Sequence, residues 1–198
     1  MSGDRPRLIL ASSSPRRRHL LVNAGFEFEV VAPAVAEISA GAFTLCEATA
    51  WNALRKGQNV ARAYPEAIVL AADTLVEFDG EVIGKPADRA AAARILGRLS
   101  AQTHVVASSV FIVHVRRGRA ENFTILSQVV FKKLSARLIE EYLSRIDPLD
   151  KAGAYAAQAD GDAIIQNIRG SRSNVIGLPM EKTRAALARF GIRASHAP

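Results

Sequence analysis

The chain is expected to fold as an α/β protein with a mixed, twisted β-sheet flanked by helices. Three observations carry this expectation. Helix-like and strand-like segments alternate along most of the chain, which sets helices against a sheet. One long hairpin, over residues 105–131, interrupts the alternation and brings in antiparallel pairing. The runs Leu8–Ala11 and 68–72 are apolar throughout rather than alternating, as in strands covered on both faces.

Each element has a local cause. Leu8–Ala11 is a short buried strand. A helix follows over 15–24, with Ser14 at its N-cap, Pro15 at the first helical position and Gly25 closing it. A second strand is expected over 28–31. Thr44 and Glu47 form a capping-box pattern that opens a helix to about residue 63, stopped before Pro65. The run 68–72 is a strand ending at Asp73-Thr74. Segments 75–78 and 81–83 flank Asp79-Gly80, a tight hairpin turn. Asp88 caps a helix to about residue 99, strands 105–115 and 122–131 form the long hairpin, and Ser135 opens a helix to about residue 144. Segments 155–157 and 163–167 read as strands. Pro179 starts a last helix that ends near Gly191, followed by a frayed tail.

At 198 residues the chain can bury a sizeable core, as one domain or as two lobes around a shared sheet. Cys46 is the single cysteine, so an intrachain disulfide framework is excluded and a reducing compartment fits. Its place in a helix favours a buried structural thiol. No apolar run approaches the roughly 18 residues of a membrane span, and the short apolar stretch near the N-terminus does not make a signal peptide. A soluble cytoplasmic protein is expected. The net charge of +7 favours an anionic partner, either a nucleotide or nucleic acid. Nucleic acid is the weaker candidate. Aromatic residues make up only 6% of the chain, and no stacking ladder, zinc spacing or recognition helix is present. The cluster Arg116-Arg117-Gly118-Arg119 reads as a solvated hairpin turn.

The feature with most chemical content is Ala11-Ser12-Ser13-Ser14-Pro15-Arg16-Arg17. A helix start presents free amides and partial positive charge, and the hydroxyls of Ser12 and Ser14 with the guanidinium groups of Arg16 and Arg17 add donors there. The pattern predicts a phosphate-binding strand–turn–helix. Asp73, at the end of the 68–72 strand, can hold a divalent cation or act as a base on water, and the alternative is a turn residue. Gly84-Lys85-Pro86 falls short of a P-loop. Its spacing from Gly80 is one residue too small, and Pro86 stands where Ser or Thr is required. Lys85 alone reads as a surface charge more readily than as a phosphate ligand, and Lys56 and Glu37 carry no signal alone. Asp150-Lys151-Ala152-Gly153-Ala154-Tyr155 suits a tight loop near a ligand, and Ser173–Pro179 reads as a turn leading into a helix. The four histidines show no metal spacing, and no nucleophile elbow is present.

Taken in order, these segments resemble the Maf family of nucleoside triphosphate pyrophosphatases, from about Leu8 to Leu187. The landmarks are the Ser12–Arg17 turn, Glu37, Lys56, Ala72-Asp73-Thr74, Gly84-Lys85-Pro86, Asp150–Tyr155 with Gln158, and Ser173-Asn174-Val175-Ile176-Gly177-Leu178-Pro179. The resemblance implies an elongated, two-lobed Maf/ITPase-like fold with a central cleft, covering residues 1–198 as one domain and often dimeric. It implies hydrolysis between the α- and β-phosphates of a nucleoside triphosphate, with Mg²⁺ or Mn²⁺ required. It assigns Asp73 as the base for water, Glu37 and Asp73 to the metal, and Ser12, Ser14, Arg17, Lys56 and Lys85 to phosphates. Arg16, Thr74 and Gln158 match the branch that acts on dTTP and UTP.

The chain departs from the family pattern at three places. Ala36 stands where an Asp usually precedes the Glu. Gln158 is followed by Ala159-Asp160 rather than Gly, and Ala101 replaces a Gly after Leu99-Ser100. The same chemistry on other nucleotides, such as 7-methyl-GTP, and a weakly active nucleotide-binding regulator of division are the competing expectations.

Overall fold

A computed structural model describes residues 6–38, 43–158 and 160–195. A single sheet of seven strands organises them. Its strands are β1 (Leu8–Ala11), β2 (Glu29–Val31), β3 (Ile68–Phe78), β4 (Glu81–Ile83), β5 (Thr103–His114), β6 (Arg119–Phe131) and β7 (Ile165–Arg169), in the order β2-β1-β3-β5-β6-β7 with β4 also on β3. β1 runs parallel to β2 and β3, and every other pair is antiparallel. The helices are α1 (Pro15–Asn23), α2 (Leu45–Ala63), α3 (Arg89–Leu99), α4 (Ala136–Arg145), α5 (Gly161–Ile164), α6 (Arg172–Ile176) and α7 (Met180–Arg189), with a 3₁₀ turn at Ala152–Ala154.

Strand alternation sorts the core into layers. Leu8, Leu10, Leu70 and Ala72 face α1 and α7 and pack with Leu21, Ala186 and Leu187. Ile9, Ala11, Val69 and Ala71 face α2 and pack with Val60 and Ala61. A second large core joins β4, α3, α4 and the ends of β6 and β7 through Ile83, Leu96, Tyr142, Phe131 and Ile165. Local chemistry sets the helix starts as the sequence predicts. Thr44 and Glu47 complete the capping box, and the side chains of Asp88 and Ser135 accept from Ala91 and Leu138 amides. Asp79 and Gly80 turn the β3–β4 hairpin with φ of 54° and 72°.

The structure corrects five expectations. β3 does not end at Asp73. It runs unbroken to Phe78 because β5 pairs with it continuously from Val69↔Val113 to Glu77↔Val105, with Ser109 and Ser108 opposite Asp73 and Thr74. Segment 155–157 is not a strand. Gly153 and Ala154, at φ 73° and 62°, turn the chain out of extended geometry, and the Ala156 amide goes to Tyr142 Oη instead of a ladder. Segment 163–167 begins in α5 and becomes β7 only at Ile165. The segment after Ser171 is the helix α6 rather than a plain turn, because the Ser171 hydroxyl caps it and Gly177 ends it at φ 130°. Cys46 is half-buried rather than enclosed. Ala159 and His196 lie outside the described residues.

One stretch of β3 has a neighbour on one side only. β1 pairs as far as Ala71 and β4 from Val76 onward, so among the described residues 72–75 have no strand partner on that side. The cleft described below sits at that gap.

Two glycine-related positions test the packing. An added Cβ at Gly57 on α2 would lie 2.5 Å from the ring of Phe111 and 3.3 Å from Ala71 Cβ. Gly57→Ala is expected to destabilise by about 1–2 kcal/mol, because overpacking outweighs the gain in helix propensity. Ala101 sits at φ 59°, where an L side chain is strained. Ala101→Gly is expected to raise the melting temperature by about 1–3 °C. Thermal unfolding of both variants checks the two signs.

Candidate active site

The cleft encloses about 400 Å³ and is lined by every residue that the sequence singles out for catalysis or binding. Its floor is the gap on β3. Asp73 and Thr74 are successive in that strand and so project to opposite faces of the sheet. Asp73 meets α2, and Thr74 meets α1 and α6.

On the α2 face, Asp73 is buried at 3% exposure. Its Oδ1 accepts from Lys56 Nζ at 2.6 Å and its Oδ2 from Asn52 Nδ2 at 3.0 Å. Lys56 and Asn52 are four residues apart on α2, hence one turn apart on one face. Lys56 Nζ also donates to Glu37 Oε1 at 2.7 Å, and Lys85 Nζ reaches Glu37 Oε2 at 3.2 Å. The order Asp73–Lys56–Glu37–Lys85 alternates charge from the buried floor to the exposed rim. Asn52 is the member of this group that sequence reasoning missed, and its signal was its i−4 spacing from Lys56.

On the other face, α1 begins with Ser14 at the N-cap position, but its side chain caps nothing. The Ser12 hydroxyl instead accepts from the Ser14 amide at 3.1 Å and shapes the turn. The first-turn amides of α1 therefore lack a side-chain cap, as an anion site requires. Arg17 is buried and donates to Gly177 O, Ser12 Oγ and Thr74 Oγ1 at 2.8, 3.3 and 3.1 Å. Burial pushes its pKa down, the Asp73 charge acting in the opposite sense. No carboxylate forms an ion pair with Arg17 among the described residues. A buried cation without a counter-ion is costly, and an incoming anion relieves that cost.

Arg16 is engaged differently. It spans the cleft mouth to Asp150 Oδ2 at 2.8 Å, and Lys151 holds the same carboxylate. Burial raises the Asp150 pKa, but Lys151 and Arg16 outweigh it and hold it below the ordinary value. Thr74 Oγ1 also bonds Ser108 Oγ at 2.8 Å, so its hydroxyl is built into the floor rather than free. Gln158 sits exposed on the loop after Tyr155. That loop is anchored by residues with no sequence signal. Tyr142 Oη bonds both the N–H and C=O of Ala156, Arg172 donates to the Ala157 carbonyl, and His104 Nε2 bonds Tyr155 Oη at 2.8 Å. Asp160 takes φ 48°, so a non-glycine residue accommodates the left-handed turn that follows Gln158.

The donor set fits a cation shared with substrate, not an all-protein cage. No group of three or more metal-ligating side chains occurs among the described residues. At position 36, where the family has a second acid, the backbone carbonyl is instead bonded by Arg55. Two carboxylates, Asp73 and Glu37, are nevertheless the hard oxygen donors that Mg²⁺ takes when phosphates and water complete its shell.

These charges set a pH dependence. Burial raises the Glu37 pKa, but Lys56 and Lys85 outweigh it and bring it from 4.5 to about 2. The stability it contributes is present above pH 4.5 and is lost as pH falls toward about 2. Burial lowers the His104 pKa from 6.5 to about 4, so its contribution is lost as pH falls from 6.5 toward 4. Urea unfolding across this range is expected to show stability declining on acidification in both windows. Glu37→Gln should flatten the lower one and leave the upper one.

Comparison with known proteins agrees with this geometry. The Maf-like protein family matches residues 7–190. A dTTP/UTP pyrophosphatase of Symbiobacterium thermophilum is 47% identical over 185 residues, covering 93% of this chain and 94% of that protein. The dTTP/UTP pyrophosphatases of Dictyoglomus turgidum and Bacillus pumilus are each 40% identical over 94% and 93% of this chain and 97% of their own length. Among solved structures, the Ham1 proteins of Staphylococcus aureus and Coxiella burnetii superpose with a TM-score of 0.53 over 93% of this chain and 99% of theirs. At 16% and 13% identity, that likeness speaks for the fold alone. With the family match spanning nearly its whole length and a cleft gathering the family's landmark residues, this chain belongs to the Maf family.

Proposed function

We propose that this protein hydrolyses dTTP and UTP between the α- and β-phosphates, releasing the nucleoside monophosphate and pyrophosphate. The observation that carries the reading is the pairing, in one cleft, of a buried carboxylate–ammonium pair with a buried guanidinium that has no carboxylate partner among the described residues. The first suits activation of water, and the second suits a polyanion. The names of the similar proteins support the choice of nucleotide. No helix among the described residues is long and apolar enough to cross a membrane. A cytoplasmic setting and a possible homodimer belong to the same reading.

Phosphoryl transfer depends mainly on positioning and charge. The uncapped amides of α1 with Arg17, Ser12 and Ser14 receive phosphate oxygens from one face of the sheet. Lys56 and Lys85 approach from the other. Asp73, hydrogen-bonded to Lys56, takes a proton from water as the water oxygen forms its bond to phosphorus. The P–O bond between the α- and β-phosphates breaks, and pyrophosphate leaves with the electron pair. A divalent cation held by Asp73 and Glu37 together with phosphate oxygens would neutralise charge and polarise the reacting phosphate. Arg16, Thr74 and Gln158 line the same cleft and take the nucleobase in this reading.

Pyrophosphate release from dTTP, UTP, CTP, GTP, ATP and 7-methyl-GTP, with Mg²⁺ or Mn²⁺, tests the reading. Selective turnover of dTTP and UTP is expected. Preference for another base would keep the chemistry and overturn the specificity, and binding without turnover would favour a regulator. Asp73→Asn is expected to keep the fold and lower kcat by roughly 10²–10⁴, the range for losing a general base. Near-normal turnover in that variant would refute the role of Asp73.

A further inference from the structure

The segment that carries Glu37 has no ladder of its own. Residues 32–38 form neither helix nor strand, yet their backbone is held at alternate positions by one face of α2. The Ala34 amide donates to Asn59 Oδ1 at 3.0 Å, and Arg55 Nη1 donates to the Ala36 carbonyl at 3.0 Å. Ile38 is clamped at both its polar groups. Its N–H donates to Asn52 Oδ1 at 2.9 Å and its C=O accepts from Asn52 Nδ2 at 3.0 Å. Positions 52, 55 and 59 stand at i, i+3 and i+7, a single helical stripe. The helix thus serves as a surrogate strand partner for an irregular segment.

Asn52 is the member of that stripe that also touches the reactive carboxylate. It is 2% exposed, on a helix face whose neighbours include Ala48, Ala53 and Val60. A buried carboxamide is costly there unless its polar atoms are bonded. Both of its N–H donors are used, one on Ile38 and one on Asp73 Oδ2 at 3.0 Å. Only this orientation serves, since exchanging oxygen and nitrogen would set an acceptor against two acceptors and a donor against an amide N–H.

We propose that Asn52 is a positioning residue for the hydrolytic reaction. Its carboxamide holds Asp73 directly, and Glu37 through Ile38, in one frame on either side of Lys56. The proposal rests on the functional reading above. Lys56 cannot supply this frame, because an ammonium on a flexible stem follows whichever carboxylate moves. A planar amide with three fixed bonds constrains both.

The test compares wild type, Asn52→Leu and Asn59→Ala for dTTP turnover with Mg²⁺, together with hydrogen exchange of the Ile38 amide. Asn52→Leu is expected to lower kcat roughly 30- to 100-fold with KM changed less than about threefold, as misplaced reacting groups do. Protection of the Ile38 amide should fall with it. Asn59→Ala leaves the Asp73 contact intact and should lower kcat less than about fivefold. Unchanged kcat in Asn52→Leu, even with lower thermal stability, would reduce Asn52 to packing and overturn the proposal. Equal losses in the two variants would also overturn it, because the contact with Asp73 would then add nothing. Asn52→Ala replaces the leucine variant if the latter does not fold. Absence of turnover in wild type would instead overturn the pyrophosphatase reading. In that case, lost Ile38 protection in Asn52→Leu would still support the tether, and retained protection would refute it.

Discussion

The site depends on an interrupted edge. β3 is long enough to pair with β5 from Val69 to Glu77, but on its other side β1 stops at Ala71 and β4 begins at Val76. A strand paired on one edge keeps its geometry, while the missing neighbour leaves its other edge without a strand partner over 72–75. Asp73 and Thr74 lie in that stretch. Because successive residues point to opposite faces, one strand supplies the α2 side with a carboxylate and the α1 side with a hydroxyl. A flexible loop could carry the same two residues but could not keep them at a constant separation.

Charge follows the same division. Lys56, Lys85, Arg16, Arg17 and Lys151 line the cleft against Asp73, Glu37 and Asp150, so cations exceed anions before any ligand enters. Most of these charges are already matched. Lys56 sits between two carboxylates, Lys85 takes the outer oxygen of Glu37, and Arg16 with Lys151 holds Asp150. Arg17 is the exception, buried among neutral acceptors. The imbalance is therefore concentrated next to the uncapped start of α1, where the helix adds its own partial positive charge. A triphosphate arriving there meets donors that are already oriented, and orientation is most of what phosphoryl transfer asks of a protein.

Support for the site comes from polar side chains that lie outside its charge network. α2 holds the irregular 34–38 segment through Asn52, Arg55 and Asn59, while Tyr142, Arg172 and His104 hold the 155–158 loop. Both irregular segments line the cleft, and each is fixed by side chains rather than by a backbone ladder. Buried backbone groups need partners, and where no strand is available polar side chains fill the role.

Much of this was legible in the residues alone because its causes are local. The capping box at Thr44, the caps at Asp88 and Ser135, the Asp79-Gly80 turn and the Pro15 helix start each depend on a few adjacent residues, and each appears where its chemistry predicts. The donor-rich character of the Ser12–Arg17 turn was legible for the same reason, and the ordered landmarks carried the family resemblance. Three features depended on residues distant in sequence. β3 passes through Asp73 only because Ser108 and Ser109 of β5 pair with it. Segment 155–157 is not a strand because Tyr142 takes the Ala156 amide, and Arg17 is buried only where Gly177 and Thr74 close over it. The sequence by itself determined the capped helix starts, the tight hairpin turn and the donor-rich character of the Ser12–Arg17 turn, since propensity and capping act within one or two turns of chain. Tertiary structure decided that Lys56 meets both Asp73 and Glu37, and that Asn52 joins them, since those contacts span 14 to 21 residues and exist only once α2 lies on the sheet.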